Sequence, residues 1–136
     1  MLITLFSSKR SARAQATIEF AFVLPILVLL LMGIFDFGRV TYANTVLANA
    51  AREGVRKAAV GADDATIKST VTSTAVALSI DPNNITVSPP QGSRGYGVSA
   101  TIVVSFTFVP VTPLIGRFFG PSGNIVLTNS ASMVVE

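Results

Sequence analysis

The sequence predicts an α+β fold held to a membrane. It consists of a long N-terminal transmembrane-plus-stalk helix, a second short helix and a small three-stranded antiparallel sheet. Three observations predict it. Phe20 to Phe35 is sixteen residues long and carries no charge. The chain beyond it keeps apolar residues at helical spacing as far as Ala59. From Ile85 onward the periodicity switches to two.

The apolar run comes first. Extended from Ala16 to Phe37 it is 22 residues, with Glu19 and Asp36 near its ends. A spanning helix needs roughly 20 apolar residues. Pro25 removes the backbone bond to the carbonyl of Ala21 and is expected to kink the helix, which membrane helices tolerate. Lys9, Arg10 and Arg13 precede the run, whereas Asp36 and Arg39 cancel after it. By the positive-inside rule the N-terminus is cytoplasmic and the residues beyond are outside. Phe35-Asp-Phe-Gly-Arg39 contains no small-x-small cleavage pattern, so the run differs from a removable secretory signal. Its lack of a polar face also separates it from the core helix of a soluble protein. The expected organisation is a basic leader over residues 1–14, a transmembrane segment over 15–37 and an extracytoplasmic α+β domain over 38–136.

The outer domain begins with the stalk, residues 38–59. Val40, Ala43, Leu47, Ala50, Ala51, Gly54 and Ala58 share one arc. Thr41, Thr45, Asn49, Arg52, Glu53 and Arg56 share the other, and Glu53–Lys57 forms a favourable i,i+4 pair. One helix is therefore expected from about Ala14 to Ala59, roughly 65–70 Å long at 1.5 Å per residue. Small residues on its buried arc permit close approach of another element, and Gly61 is its stop signal. A second helix over 63–79 has Asp63 or Asp64 as its cap and Ile67, Val71, Ala75 and Leu78 as its stripe. Asp81-Pro-Asn-Asn84 is a turn. Strands follow at about 85–88, 98–109 and 124–136. The second places Val98, Ala100, Ile102, Val104, Phe106 and Phe108 on one face. The third does the same for Ile125, Leu127, Ala131, Met133 and Val135, with Asn129 interrupting the apolar face and suggesting a bulge.

Composition narrows the function. Half the 136 residues are apolar and 12% are charged, against about 25% in a typical soluble domain. The net charge of +3 comes from Lys9, Arg10 and Arg13, since seven basic and seven acidic residues remain from Gln15 onward. A nucleic-acid reader carries its positive charge across a folded face, so nucleic acid is not an expected partner. The absence of Cys and His removes thiolate and imidazole metal sites and the usual catalytic base. No Gly-x-Ser-x-Gly is present, and Lys68-Ser69 is one turn of an exposed helix face rather than a site. No enzyme activity and no cofactor are expected.

A few residues carry alternatives. Glu19, one position before the apolar run, either faces water among the headgroups or is neutralised by a partner inside an assembly. Arg52, Arg56 and Lys57 are either a solvated helix face or a contact for an anionic headgroup or partner. Leu114, Ile115, Phe118 and Phe119, between the last two strands, either pack over the sheet and stalk or form a docking patch for a sister subunit. Gly92-Ser-Arg-Gly-Tyr-Gly97 lacks the Gly-Lys-Ser/Thr of a phosphate loop and reads as a mobile turn.

Arg13-Ala-Gln-Ala-Thr-Ile-Glu-Phe-Ala-Phe-Val-Leu-Pro25, with Gly33-Ile-Phe-Asp-Phe-Gly-Arg39 and Asn49-Ala-Ala-Arg-Glu-Gly54, resembles the TadE-like family. Those are pilin-like proteins of the bacterial tight-adherence (Flp) pilus machinery. The likeness covers about residues 13–56, and the strand ending in Phe108-x-x-Val111-x-Pro113 extends it. The resemblance implies a pilin-like fold and a leader cut by a membrane prepilin peptidase. Glutamate then stands at the fifth mature position, followed by an aromatic residue. Glu19 and Phe20 fill those positions if the cut falls between Ala14 and Gln15. Where the family has Gly before the cut, this chain has Ala14. The implied role for Glu19 is to neutralise the new amine of a neighbouring subunit.

The expected function is thus a minor pilin or pseudopilin of a tight-adherence pilus, acting in pilus assembly through packing of its membrane helix and stalk. The alternatives are an unprocessed single-pass scaffold of an envelope complex and a surface adhesin-like binding module. The expected partners are membrane lipid, sister pilin-like subunits, the pilus assembly machinery and a prepilin peptidase. The expected location is the bacterial cytoplasmic (inner) membrane, N-terminus inside, with the protein also in or on a surface pilus.

Overall fold

The computed structural model describes residues 8–112, 116 and 123–136, with side chains from residue 14 onward. Its first element, α1, runs from Ser8 to Ala59 as 52 continuous helical residues with Pro25 inside. It begins earlier than the sequence pattern suggested and is about 78 Å long. Its C-terminus is a Schellman arrangement. Ala62 N–H donates to Lys57 C=O, Gly61 N–H donates to Ala58 C=O, and Gly61 takes the left-handed conformation at φ +79°. Gly61 is therefore the stop that the sequence suggested.

The second helix, α2, spans Asp64–Thr74 with Asp63 as its N-cap. It stops five residues short of the expected end, and a 3-10 turn at Val76–Leu78 follows. The cause lies in its outer face. Ser69, Thr70, Thr72, Ser73 and Thr74 all turn their hydroxyls back to carbonyls three or four residues earlier. Such residues are weak helix formers and loosen the ladder they decorate.

Three strands, β1 (Ile85–Ser88), β2 (Ser99–Phe108) and β3 (Ile125–Val134), form an antiparallel sheet in the order β1-β2-β3. The β2–β3 register is unbroken from Ser99↔Val134 to Phe108↔Ile125. Asn129 faces Val104 within it, so the suggested bulge is absent. The alternation of β2 appears as expected: Ala100, Ile102, Val104 and Phe108 are buried on the helix side. Ala100, Ile102 and Val104 meet Leu47, Ala50, Ala51, Val55 and Ala58 of α1, while Ile67, Val71 and Ala75 of α2 complete the core. Val55 belongs to the buried arc in addition to the residues that periodicity identified.

The sheet lies along the C-terminal half of α1 and is pinned to it at three levels. Glu136 N–H donates to Ala59 C=O at the far end. Asn129 Nδ2 donates to Asn44 Oδ1 at 2.7 Å in the middle. Val111 and Thr112 donate to Asp36 at the near end. The spacings agree with standard geometry. From residue 44 to 59 the helix rises about 22 Å, and from 129 to 136 the strand advances about 23 Å.

Candidate functional site

The exposed N-terminal half of α1 carries the residues that the sequence singled out for processing and assembly. From Ala14 to Phe35 every side chain except half-buried Gly33 is exposed. The most apolar 18-residue window here has a mean hydropathy of 2.6, and none of it is buried. A helix that is apolar all round needs lipid or other helices around it. Among the described residues this is the one helix long and apolar enough to cross a membrane. Gly33 opens a shallow notch bounded by Leu29, Leu30, Ile34 and Phe37, where another backbone can approach closely.

At the inner end, Ala14, Gln15, Glu19 and Phe20 are all exposed on regular helix. Gln15 Nε2 donates to Glu19 Oε1 at 3.4 Å, one turn along. Helical spacing therefore places the carboxylate beside residue 15 of its own chain. The Ala14–Gln15 bond lies inside α1, in unbroken helical backbone.

At the outer end, sequence pattern alone missed the role of Asp36. It is 3% exposed. Its two carboxylate oxygens accept the backbone N–H of Val111 at 3.0 Å and of Thr112 at 2.9 Å. Arg39 Nη1 adds a third contact at 3.2 Å, and the guanidinium lies over the Phe108 ring, 4.9 Å from its centroid. The expected Asp36–Arg39 cancellation is thus a real ion pair, and Asp36 also ties the chain after β2 to α1. The partners lie 75 and 76 residues away in the chain, so no local signal announces them.

Three further readings change. Arg94, in the supposed mobile turn, has a side chain only 2% exposed and pairs with Asp64. It also donates to Ala62 C=O at 3.1 Å, so the turn is fastened to the α1–α2 junction. Glu53 is paired with Arg56 at 3.9 Å, whereas the sequence paired it with Lys57. Arg52, Arg56 and Lys57 do form an exposed face, but Arg56 stands about 30 Å along the axis from Asp36. Leu114, Ile115, Phe118 and Phe119 lie outside the described residues.

The α2 cap contributes a local electrostatic feature. The Thr66 hydroxyl beside Asp63 holds its carboxyl below the ordinary 3.8. Among the described residues, no group of three or more His, Cys, Asp or Glu is placed to hold a metal.

Residues 14–56 match the family model described as TadE-like protein, the family that the inner segment resembles. The matched stretch includes Glu19, Asp36 and Gly54 and ends within the stalk. No curated protein and no solved structure matches the chain. The match covers less than half of the chain and likens that segment to the structural TadE-like proteins of tight-adherence pilus systems. Together with the apolar helix near the N-terminus it indicates a membrane-anchored protein.

Proposed function

We propose, with the TadE-like match over residues 14–56 as the premise, that this chain is a minor pilin or pseudopilin of a tight-adherence pilus. It sits in the cytoplasmic membrane with residues 1–14 inside and 38–136 outside, and it acts through packing of α1 against sister subunits. One observation carries the proposal: α1 is apolar and wholly uncovered from Ala14 to Met32, then becomes the spine of the outer domain. A helix built this way couples events in the membrane directly to the sheet.

In this reading a prepilin peptidase cuts between Ala14 and Gln15. The cut removes Lys9, Arg10 and Arg13 and leaves an ammonium at Gln15. Glu19 then neutralises the ammonium of a neighbouring subunit. Attraction between such charges is strong at low dielectric, but each is costly there alone, so the pair favours one axial register between subunits. Intact-mass measurement on membranes and on sheared pili tests this reading. Loss of residues 1–14 is expected in both fractions, and Glu19→Val is expected to abolish co-assembly. Normal co-assembly by Glu19→Val would end the proposed role of Glu19.

A second reading, an unprocessed single-pass scaffold, draws support from the helical backbone through Ala14–Gln15. That bond must unwind before a peptidase can take it as an extended strand. An uncut mass in every fraction would favour the scaffold.

A further inference from the structure

We propose that the near end of the sheet is a second membrane contact, with Val109 and Val111 entering the headgroup–acyl boundary beside α1. The partner is the lipid surface itself. The proposal rests on α1 spanning the membrane and adds a site on a different part of the chain.

The first argument is level. Asp36 lies in the last turn of the apolar span, between Phe35 and Phe37, which are 65% and 73% exposed. Its carboxylate holds the backbone of Val111 and Thr112 at that same height. Val109 and Val111 are 59% and 55% exposed, so the lipid contact of α1 continues onto the chain after β2. The strand geometry agrees independently. Ile125, the partner of Phe108, lies about 13 Å below Asn129, and about 13 Å of helix separates Asn44 from residue 35.

The second argument is backbone satisfaction. Non-helical chain can sit at membrane depth only if its polar groups have partners. Pro110 has no N–H. Those of Val111 and Thr112 are taken by Asp36. Thr112 C=O accepts from Gly116 N–H at 3.2 Å. The backbone N–H donors that would forbid entry into the boundary are therefore absent or already bonded at Pro110, Val111 and Thr112, and the Thr112 hydroxyl is buried away from the lipid-facing surface.

The third argument is charge. Asp36 is the one carboxylate at this level among the described residues, and it is buried against Arg39 and two N–H groups. Arg39, with its side chain 41% exposed, can direct the rest of its guanidinium toward lipid phosphate while its stem stays apolar. The result is an apolar tip whose one carboxylate is neutralised by an arginine that reaches outward, a composition compatible with rest in the interface.

The test uses the full chain in phosphatidylcholine vesicles containing lipids brominated at shallow acyl positions. The chain has no Trp, so a single introduced Trp reports alone. Val109→Trp and Val111→Trp place the probe on already exposed side chains. Phe37→Trp probes the helix and Val134→Trp the far end of the sheet. The expected result is blue-shifted, bromine-quenched emission from Val109→Trp and Val111→Trp, as from Phe37→Trp, with Val134→Trp emitting as in water. Water-like, unquenched emission from both loop variants while Phe37→Trp is quenched would overturn the second contact and leave the spanning helix intact. An unquenched Phe37→Trp would overturn the spanning reading and the second contact with it.

Discussion

Gly54→Ala sets two effects of known size against each other. Gly in a helix interior is less favourable than Ala by about 1 kcal/mol, so helix propensity alone predicts a more stable protein. Packing predicts the opposite. A Cβ at residue 54 would lie 2.6 Å from Val71 Cγ2 and 3.4 Å from Ile102 Cγ2. Relief of the first contact needs a displacement of about 1 Å between α1 and α2, because ordinary carbon contacts lie near 3.5 Å. Val71 is fully buried, and its β-branched side chain is stiff at χ1. Overpacking in such a place costs about 1–3 kcal/mol, which leaves a net destabilisation of about 1 kcal/mol after the propensity gain.

The cycle with Val71→Ala makes this decisive. Val71→Ala alone loses about 1.6 kcal/mol of burial plus a cavity term, about 2 kcal/mol in all. In the double variant the new methyl group enters the space that Val71 vacates. The two changes should therefore couple favourably by about 1–2 kcal/mol. Hydrogen exchange at the buried Ile102 and Val104 amides of detergent-solubilised full-length protein reads the opening free energy of the outer domain. A gain in protection for Gly54→Ala, or a cycle additive within about 0.3 kcal/mol, would refute the close-approach argument.

Three other outcomes follow from named contacts. Asp36→Ala leaves the Thr112 amide buried without its acceptor, a loss of about 2–4 kcal/mol with the Val111 and Arg39 contacts included; faster exchange at residues 111 and 112 than at Ile102 checks it. Asn129→Ala and Asn44→Ala should each cost about 0.5–1.5 kcal/mol, and the double variant should cost little more than either single, since both break one hydrogen bond. Asp63 has a lowered folded pKa, so its contribution is fully present above the unfolded value near 3.8 and is lost as pH falls through the folded value. Carboxyl NMR titration should show Thr66→Val moving the Asp63 midpoint up toward 3.8.

The contrast between Gly54 and Asp36 shows how far sequence pattern reaches. Gly54 is visible as one of the small residues on the buried arc of α1, but only the packed structure explains why Ala does not occupy it: Val71 and Ile102 converge there. Asn129 has the opposite history. It looks like a flaw in β3 and proves to be the middle fastening of the sheet to α1. Arg94 is inconspicuous in a Gly-rich turn, yet its side chain is buried on Asp64.

The sequence by itself determined the elements and their faces, because hydrophobic periodicity, capping and stop residues act within one or two turns or strands. It established the apolar helix near the N-terminus, the amphipathic stalk, the alternation of β2 and the resemblance over the inner segment. Only the tertiary structure decided where those elements touch. Hydrogen bonds from the Val111 and Thr112 N–H groups to Asp36 join groups 75 and 76 residues apart. Such contacts depend on the loop ends being brought together, which leaves no trace in local pattern. That is why the long helix was legible from its residues, and the carboxylate that fastens the sheet to it was not.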